Sequence, residues 1–385
     1  MTTTRPDPPA IPRVRALAPD LARGAMLALI ALAHSQVLAG RTIGTAVVAG
    51  SALDTAVQAV LTLLVDSRGY PMFAALFGYG MVQILRRQEP ARGWEGARTL
   101  LRRRGGWLVV FGFCHALLLF TGDILAAYGL LALLLVGALR RPDKWLLTAA
   151  GVACIAGAVA YGAVLSVPVP TGDASQQLTD PLVSAVFRLA TFPVLTPLNA
   201  IMAAGPVLIG VWAARRRLLE EPERHRPLLG RVAAGGIAIA VLGAVPQMLV
   251  TTGAWSPPAP ALFAVGALHT ACGYAGGLGY AALIGLVAAR FAAGRAPGPR
   301  PGRLMTALGA CGQRSMSCYL AQSVAWLLLF EPYLADLGGE LGVAAAAGVG
   351  LGVWVLTVMA AGLLHRADRP GPAEALLRRL TYGGR

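Results

Sequence analysis

The sequence predicts an all-α protein, a polytopic transmembrane helix bundle of about ten spans with both termini cytoplasmic. Three observations carry this. Of 385 residues, 56% are hydrophobic and 13% are charged, roughly half the charge usual in soluble domains. Mean hydropathy is +0.63, and the apolar residues fall in long runs rather than alternating. Lys and Arg gather between alternate runs, the pattern of loops kept inside the cell.

Taken in order, residues 1–19 are rich in Pro and Arg, carry no signal-peptide pattern and read as a short disordered tail. Residues 20–385 read as one transmembrane domain. Its expected spans are 24–40, 69–86, 105–121, 124–140, 145–166, 197–214, 231–252, 260–289, 314–331 and 342–365. The segment from Ser51 to Val65 is also helical in pattern, but Asp54, Gln58 and the following Asp66 suit a lipid-facing span poorly. It reads as an amphipathic or re-entrant helix at the outer surface.

With the N-terminus inside, the segments 1–23, 86–104, 140–144, 215–231, 290–303 and 366–385 hold 29 of the 33 Lys and Arg. The outside segments hold Arg41, Arg68 and Arg188. This asymmetry accounts for the net charge of +15 by the inside-positive rule, so nucleic acid is not an expected partner.

The outer loop from Ser166 to Thr196 is expected to contain a short surface helix over Leu182–Thr191, and APGPRPG (296–302) is linker-like. Gly273 and Gly277 form a GxxxG pair, read first as close helix packing. The five cysteines lie in apolar segments without CxxC spacing and read as small hydrophobes.

Polar groups inside apolar runs carry the functional signal. His34 and His115 each lie 11 residues from a flanking arginine, Arg23 and Arg104, and His269 lies deep in its own span. At 1.5 Å per residue all three are expected roughly 13–17 Å deep, in one layer. A lone intramembrane His is ordinarily an interhelical hydrogen bonder. Three at one depth, with Asp123 above them and Asp20 and Arg23 at the inner mouth, suggest a cavity where neutral imidazole can take and return a proton. Asp20 suits a helix N-terminus through the dipole, and Arg23 offers a guanidinium fork to a phosphate. Tyr319 and Gln322 belong to a polar stripe on an otherwise apolar run with Ser315 and Ser323, for which core hydrogen bonding and cavity lining are equal readings. HExxH, GxSxG and Walker loops do not occur, and no resident metal or cofactor is expected.

The stretches PDLARG, MFAALFGYGMVQILRR, RRGGWLVVFGFCHALLLFTGDILAAYGLL, GQRSMSCYLAQSV and GPAEALLRRLTYG resemble the YeiB-like family of bacterial membrane proteins, the group of domain of unknown function 418. The likeness is specific over residues 19–139 and 303–383. That family resembles, more distantly, the transmembrane acyltransferases that include heparan-alpha-glucosaminide N-acetyltransferase and bacterial O-acyltransferases of surface sugars. The resemblance implies acyl-CoA, such as acetyl-CoA, as a cytoplasmic donor substrate. It also implies an acceptor on the other side and an intramembrane histidine between them. Arg23 and His34 match the R-x10-H spacing of the O-acyltransferase group, in which that histidine is catalytic. His115, Gly122 and Asp123 match the YeiB-like pattern.

The expected function is therefore acyl transfer from acyl-CoA to an extracytoplasmic sugar, lipid or amine in the bacterial inner membrane. His34, His115 and Asp123 are the catalytic candidates. Arg23, Arg86, Arg102 and Arg103 are expected to hold CoA phosphates, and Asp20, His269, Tyr319 and Gln322 to line the cavity. Partners are the lipid bilayer, acyl-CoA and the acceptor, with a homodimer left open. A transporter or exporter using the same polar groups without covalent chemistry is the rival.

Overall fold

A computed structural model describes residues 17–38, 50–166, 178–292, 302–338 and 340–383. Among these residues there are helices and no strands. The helices are α1 (Leu17–Leu38), α2 (Ala52–Leu64), α3 (Gly69–Leu118), α4 (Leu125–Leu135, extended by a 3-10 turn over Val136–Arg140) and α5 (Asp143–Ser166). They continue with α6 (Pro181–Arg215), α7 (Arg226–Thr251), α8 (Ala259–Ala292), α9 (Arg303–Gln313), α10 (Ser315–Phe330), α11 (Val343–Arg366) and α12 (Pro372–Tyr382).

Seven helical runs are long and apolar enough to cross a membrane, and Leu125–Arg140 and Ser315–Phe330 are shorter apolar helices. Side chains such as Leu134, Val152, Ile155, Leu242, Leu356 and Leu363 are exposed around the outside. A shell of exposed apolar groups over a packed interior is what a lipid environment selects. The chain is a membrane protein.

Each of the ten expected runs coincides with helix over most of its length, but four boundaries differ. Helix α1 opens at Leu17, inside the expected tail. The arginine-rich segment 86–104, expected as a loop, is helical: α3 runs on through it and breaks at Gly93, with φ 65° and ψ 178°. Only glycine takes that conformation without strain. Arg92 and Arg98 support the helix on either side by bonding Gln88 (3.1 Å) and Glu95 (3.4 Å) one turn away. The expected surface helix 182–191 and span 197–214 are one helix, α6, capped by Asp180 and continuous through Pro193, Pro197 and Pro206. Each proline removes only one helical hydrogen bond, which neighbouring helices in a membrane bundle tolerate. Helices α9 and α12 occupy segments expected as non-spanning. Arg41, the loop over 167–177 and the linker over 296–301 lie outside the described residues.

The segment after Ser51 is a helix, α2, with a full capping box between Ser51 and Asp54. Asp54 also accepts from the Ala344 amide at 2.9 Å, which ties α2 to the start of α11. Glycine sets the closest crossings. A Cβ at Gly78 would strike the Val207 carbonyl and one at Gly210 the Ala75 carbonyl, so α3 and α6 meet backbone to backbone. Gly273 and Gly277 do the same for α8 against Ser67 and Arg68, as the GxxxG pair suggests.

Candidate functional site

The second half of α3 and α4 form a hairpin whose tip folds back into the protein. Asp123, in the turn that joins them, is 1% exposed. Its Oδ2 accepts the Ala126 amide at 2.6 Å, capping the first turn of α4. Its Oδ1 lies 2.9 Å from His115 Nδ1, and both side chains are buried. The ring nitrogen does not point straight at the carboxylate, so the contact is an oblique close approach rather than a linear hydrogen bond. The close fit depends on Gly112, one turn below His115, where any Cβ would strike Asp123 and Ala126.

On its other side His115 meets α10. Its Nε2 is 2.8 Å from Ser323 Oγ, and Ser323 is also within 3.2 Å of the Tyr319 carbonyl one turn back. The Tyr319 ring packs 5.0 Å from the His115 ring and 6.2 Å from the His34 ring. His34 also packs 4.7 Å from Phe120. His34 and His115 therefore share one cluster, as their depths suggest. His34 Nδ1 is buried without a hydrogen-bond partner among the described residues.

His269 does not join them. It is buried on α8, and its charged neighbour is Arg68. Arg68 is itself fully buried and donates to the carbonyls of Thr62 (3.0 Å), Ala240 (2.7 Å) and Asp66. Equal distance from helix ends gave equal depth but no information on which helices are neighbours.

Below the histidine cluster lies a cavity of about 1340 Å³. This exceeds the usual range of roughly 300–1,000 Å³ for small-molecule pockets. Its walls carry six arginines, Arg23, Arg87, Arg92, Arg104, Arg378 and Arg379, against one carboxylate, Glu374. Glu374 accepts from the amides of Met316 (2.8 Å) and Ser317 (3.1 Å) and from the Ser317 hydroxyl, and so caps α10. The deep end is aromatic: Tyr128 lies 5.1 Å from both Phe73 and Phe77. From Arg87 back to Phe73 along α3 is about 21 Å by helical rise. The cavity is thus long, cationic at its mouth and apolar at its floor.

The floor residues Leu108 and Met316 lie seven positions, about 10 Å, below His115 on α3 and Ser323 on α10. Leu125, also on the wall, is two residues from Asp123. Tyr319 stands between floor and cluster, with its hydroxyl beside the Ile124 backbone.

Among the sequence candidates, Arg23 lines the cavity and contacts Asp20 at 3.4 Å and the Leu76 carbonyl at 3.5 Å. Arg86, Arg102 and Arg103 do not line it. Arg86 turns to Glu220 (3.3 Å) and the Arg215 carbonyl (2.9 Å), while Arg102 and Arg103 are exposed. Arg104 takes their place because it shares a helix face with Leu101 and Leu108, at spacings of three and four. Asp20, His269, Tyr319 and Gln322 are absent from the cavity wall. Asp20 is buried where its carbonyl abuts Gly312 at the α1–α9 crossing, and Gln322 bonds Thr357 on α11 at 3.4 Å. Sequence reasoning placed Ser323 in the stripe without a role and left Arg87, Arg92, Arg378 and Arg379 among general loop charge.

Residues 213–384 match the family model described as Protein of unknown function (DUF418). The chain is 28% identical over 368 residues to Uncharacterized protein YxaH of Bacillus subtilis (strain 168), a stretch covering 86% of this chain and 83% of that protein. It is 40% identical over 81 residues to Uncharacterized protein YeiB of Escherichia coli (strain K12), covering 21% of this chain and 19% of that protein.

Proposed function

We propose that this chain, a YeiB-like protein of the DUF418 family, is a membrane-embedded acyltransferase that moves an acyl group from acyl-CoA to an extracytoplasmic sugar, lipid or amine. The observation that carries the reading is the long cavity with four exposed arginines on its wall and Arg23 and Arg104 part-buried further in, an aromatic floor, and the buried His115–Asp123 pair about two helical turns beyond. An anionic nucleotide on a long uncharged arm fits that gradient. The arginine-rich end is cytoplasmic in this reading, with ten spans, both termini inside, and the protein in the bacterial inner membrane.

Arg23 and Arg104 hold phosphate oxygens by charge-assisted hydrogen bonds, and Arg87, Arg92, Arg378 and Arg379 raise the local anion concentration. The thioester arm descends past Phe77 and Tyr128. His115, steadied by Asp123, takes the proton released in the transfer, and His34, packed against the same Tyr319 ring, lines the approach of the acceptor. No resident cofactor is needed, because the thioester already carries an activated acyl group.

Purified protein in nanodiscs tests the reading. Acetyl-CoA should raise its thermal transition, the rise should shrink in Arg104→Ala and persist in full in Arg102→Ala, and labelled acetyl groups should reach a sugar, lipid or amine acceptor. Solute uptake into vesicles with no acylated product and no response to acyl-CoA would place the chain with transporters instead.

A further inference from the structure

The geometry points to Ser323 as the residue that carries the acyl group covalently between donor and acceptor, so that the transfer runs in two displacements. This rests on the acyltransferase reading above.

Ser323 Oγ, His115 Nε2, His115 Nδ1 and Asp123 Oδ1 form a chain with spacings of 2.8 Å across the first pair and 2.9 Å across the last. The three residues come from α10, α3 and the turn that leads into α4, and each is 1–2% exposed. Proton direction follows from the acceptor count. Asp123 accepts the Ala126 amide on Oδ2, which leaves Oδ1 to face His115 Nδ1. With the imidazole proton on Nδ1, the nitrogen 2.9 Å from Asp123 Oδ1, the Nε2 lone pair faces Ser323. The serine hydroxyl has one proton and two acceptors in reach, Nε2 at 2.8 Å and the Tyr319 carbonyl at 3.2 Å. It can pass that proton to His115, and Asp123 then stabilises the imidazolium. This is the constellation that activates a serine toward an acyl carbonyl on several unrelated folds.

In the first displacement Ser323 Oγ bonds to the thioester carbonyl carbon and the carbon–sulfur bond breaks. The serine proton goes through His115 to the departing thiolate, which leaves as CoA thiol. In the second, an acceptor hydroxyl or amine loses its proton to His115 and attacks the Ser323 ester. The ester bond breaks, His115 returns the proton to Oγ, and the acylated acceptor departs. No oxidant, reductant or metal enters the balance. Tyr319, one turn below Ser323 and against both histidine rings, must swing aside for the arm to reach Oγ.

The experiment mixes purified full-length protein with labelled acetyl-CoA in the absence of acceptor, quenches in acid, and reads label on protein, released thiol and the labelled peptide. The expected result is a burst of thiol matched one-to-one by label on the peptide containing Ser323, with exchange of labelled CoA into acetyl-CoA. Ser323→Ala should lose label and exchange by more than about 100-fold while acetyl-CoA still shifts its thermal transition. Ser323→Cys should retain label in a bond that neutral hydroxylamine cleaves, which a purely structural serine does not predict. Label on His115 or His34, or turnover with acceptor but neither burst nor exchange, overturns the inference and leaves acyl transfer standing. Failure of the wild-type protein to bind or consume any acyl-CoA removes both.

Discussion

Gly112→Ala tests whether the α3–α4 contact is what places Asp123. The added Cβ would sit against the Ala126 amide and Asp123 Oδ2, and 2.6 Å from Ala126 Cβ. Packed carbons stay about 3.5–4.0 Å apart, so the start of α4 must retreat by about 1 Å. A retreat of that size takes Asp123 Oδ1 from 2.9 Å to beyond good contact with His115 Nδ1. Overpacking costs about 1–3 kcal/mol, and weakening the charge-assisted contact adds about 1–2 kcal/mol, so a loss of about 2–5 kcal/mol is expected. Gly106→Ala is the matched control: it lies on the same helix, and its added methyl would meet nothing within 4 Å. There the helix propensity of alanine should leave stability unchanged or raise it by up to about 1 kcal/mol. Denaturation by sodium dodecyl sulfate in mixed micelles, followed by tryptophan fluorescence, measures both. Equal stability of the two variants would refute the reasoning.

Asp123→Asn keeps the shape of the hairpin tip but removes the charge that supports an imidazolium; transfer should fall about 100- to 10,000-fold with acyl-CoA binding unchanged, read by turnover beside thermal shift. Arg188 and Glu331 form a buried ion pair between α6 and the end of α10, 3% and 0% exposed at the side chains. Arg188→Met alone should destabilise by about 3–5 kcal/mol, and the double change Arg188→Met with Glu331→Leu should recover most of it in the same micelle assay. Arg104→Ala should weaken acyl-CoA binding about 10- to 100-fold, the loss of one hydrogen bond to a charged group at about 1.5–3 kcal/mol. The loss should shrink at high salt in isothermal titration, while Arg103→Ala changes little.

Much of the architecture was legible because apolar runs and arginine clusters are read from chain position alone. His115 and Asp123 were legible as separate candidates, with the imidazole that Asp123 faces left open; their contact forms because Asp123 lies eight positions on, in the tight turn that follows α3. The cationic wall was not. Hydropathy treats 86–104 and 372–382 as charge between spans, so it does not register that both are helices whose arginines turn toward one cavity. One signal was present, since Leu101, Arg104 and Leu108 share a face that Arg102 and Arg103 do not. The pairing of Ser323 with His115 spans 208 positions. It depends on the register of α10 against α3, which no local pattern encodes. His269 shows the same limit in reverse, because depth along a helix does not name the helix next door.

Helix α12 gives the proposed binding site an order in time. Its residues Arg378, Arg379 and Tyr382 close the wall that Arg23 begins. During synthesis the earlier helices enter the bilayer before this wall exists. A ligand that binds the folded state adds stability of RT ln(1 + [L]/Kd), about 2.7 kcal/mol at a concentration one hundred times Kd. That help reaches the chain only once α12 is in place, so packing of the earlier helices must proceed on helix contacts alone. A change that unseats α12 should therefore spare membrane insertion and remove ligand response, separating assembly of the scaffold from completion of its site.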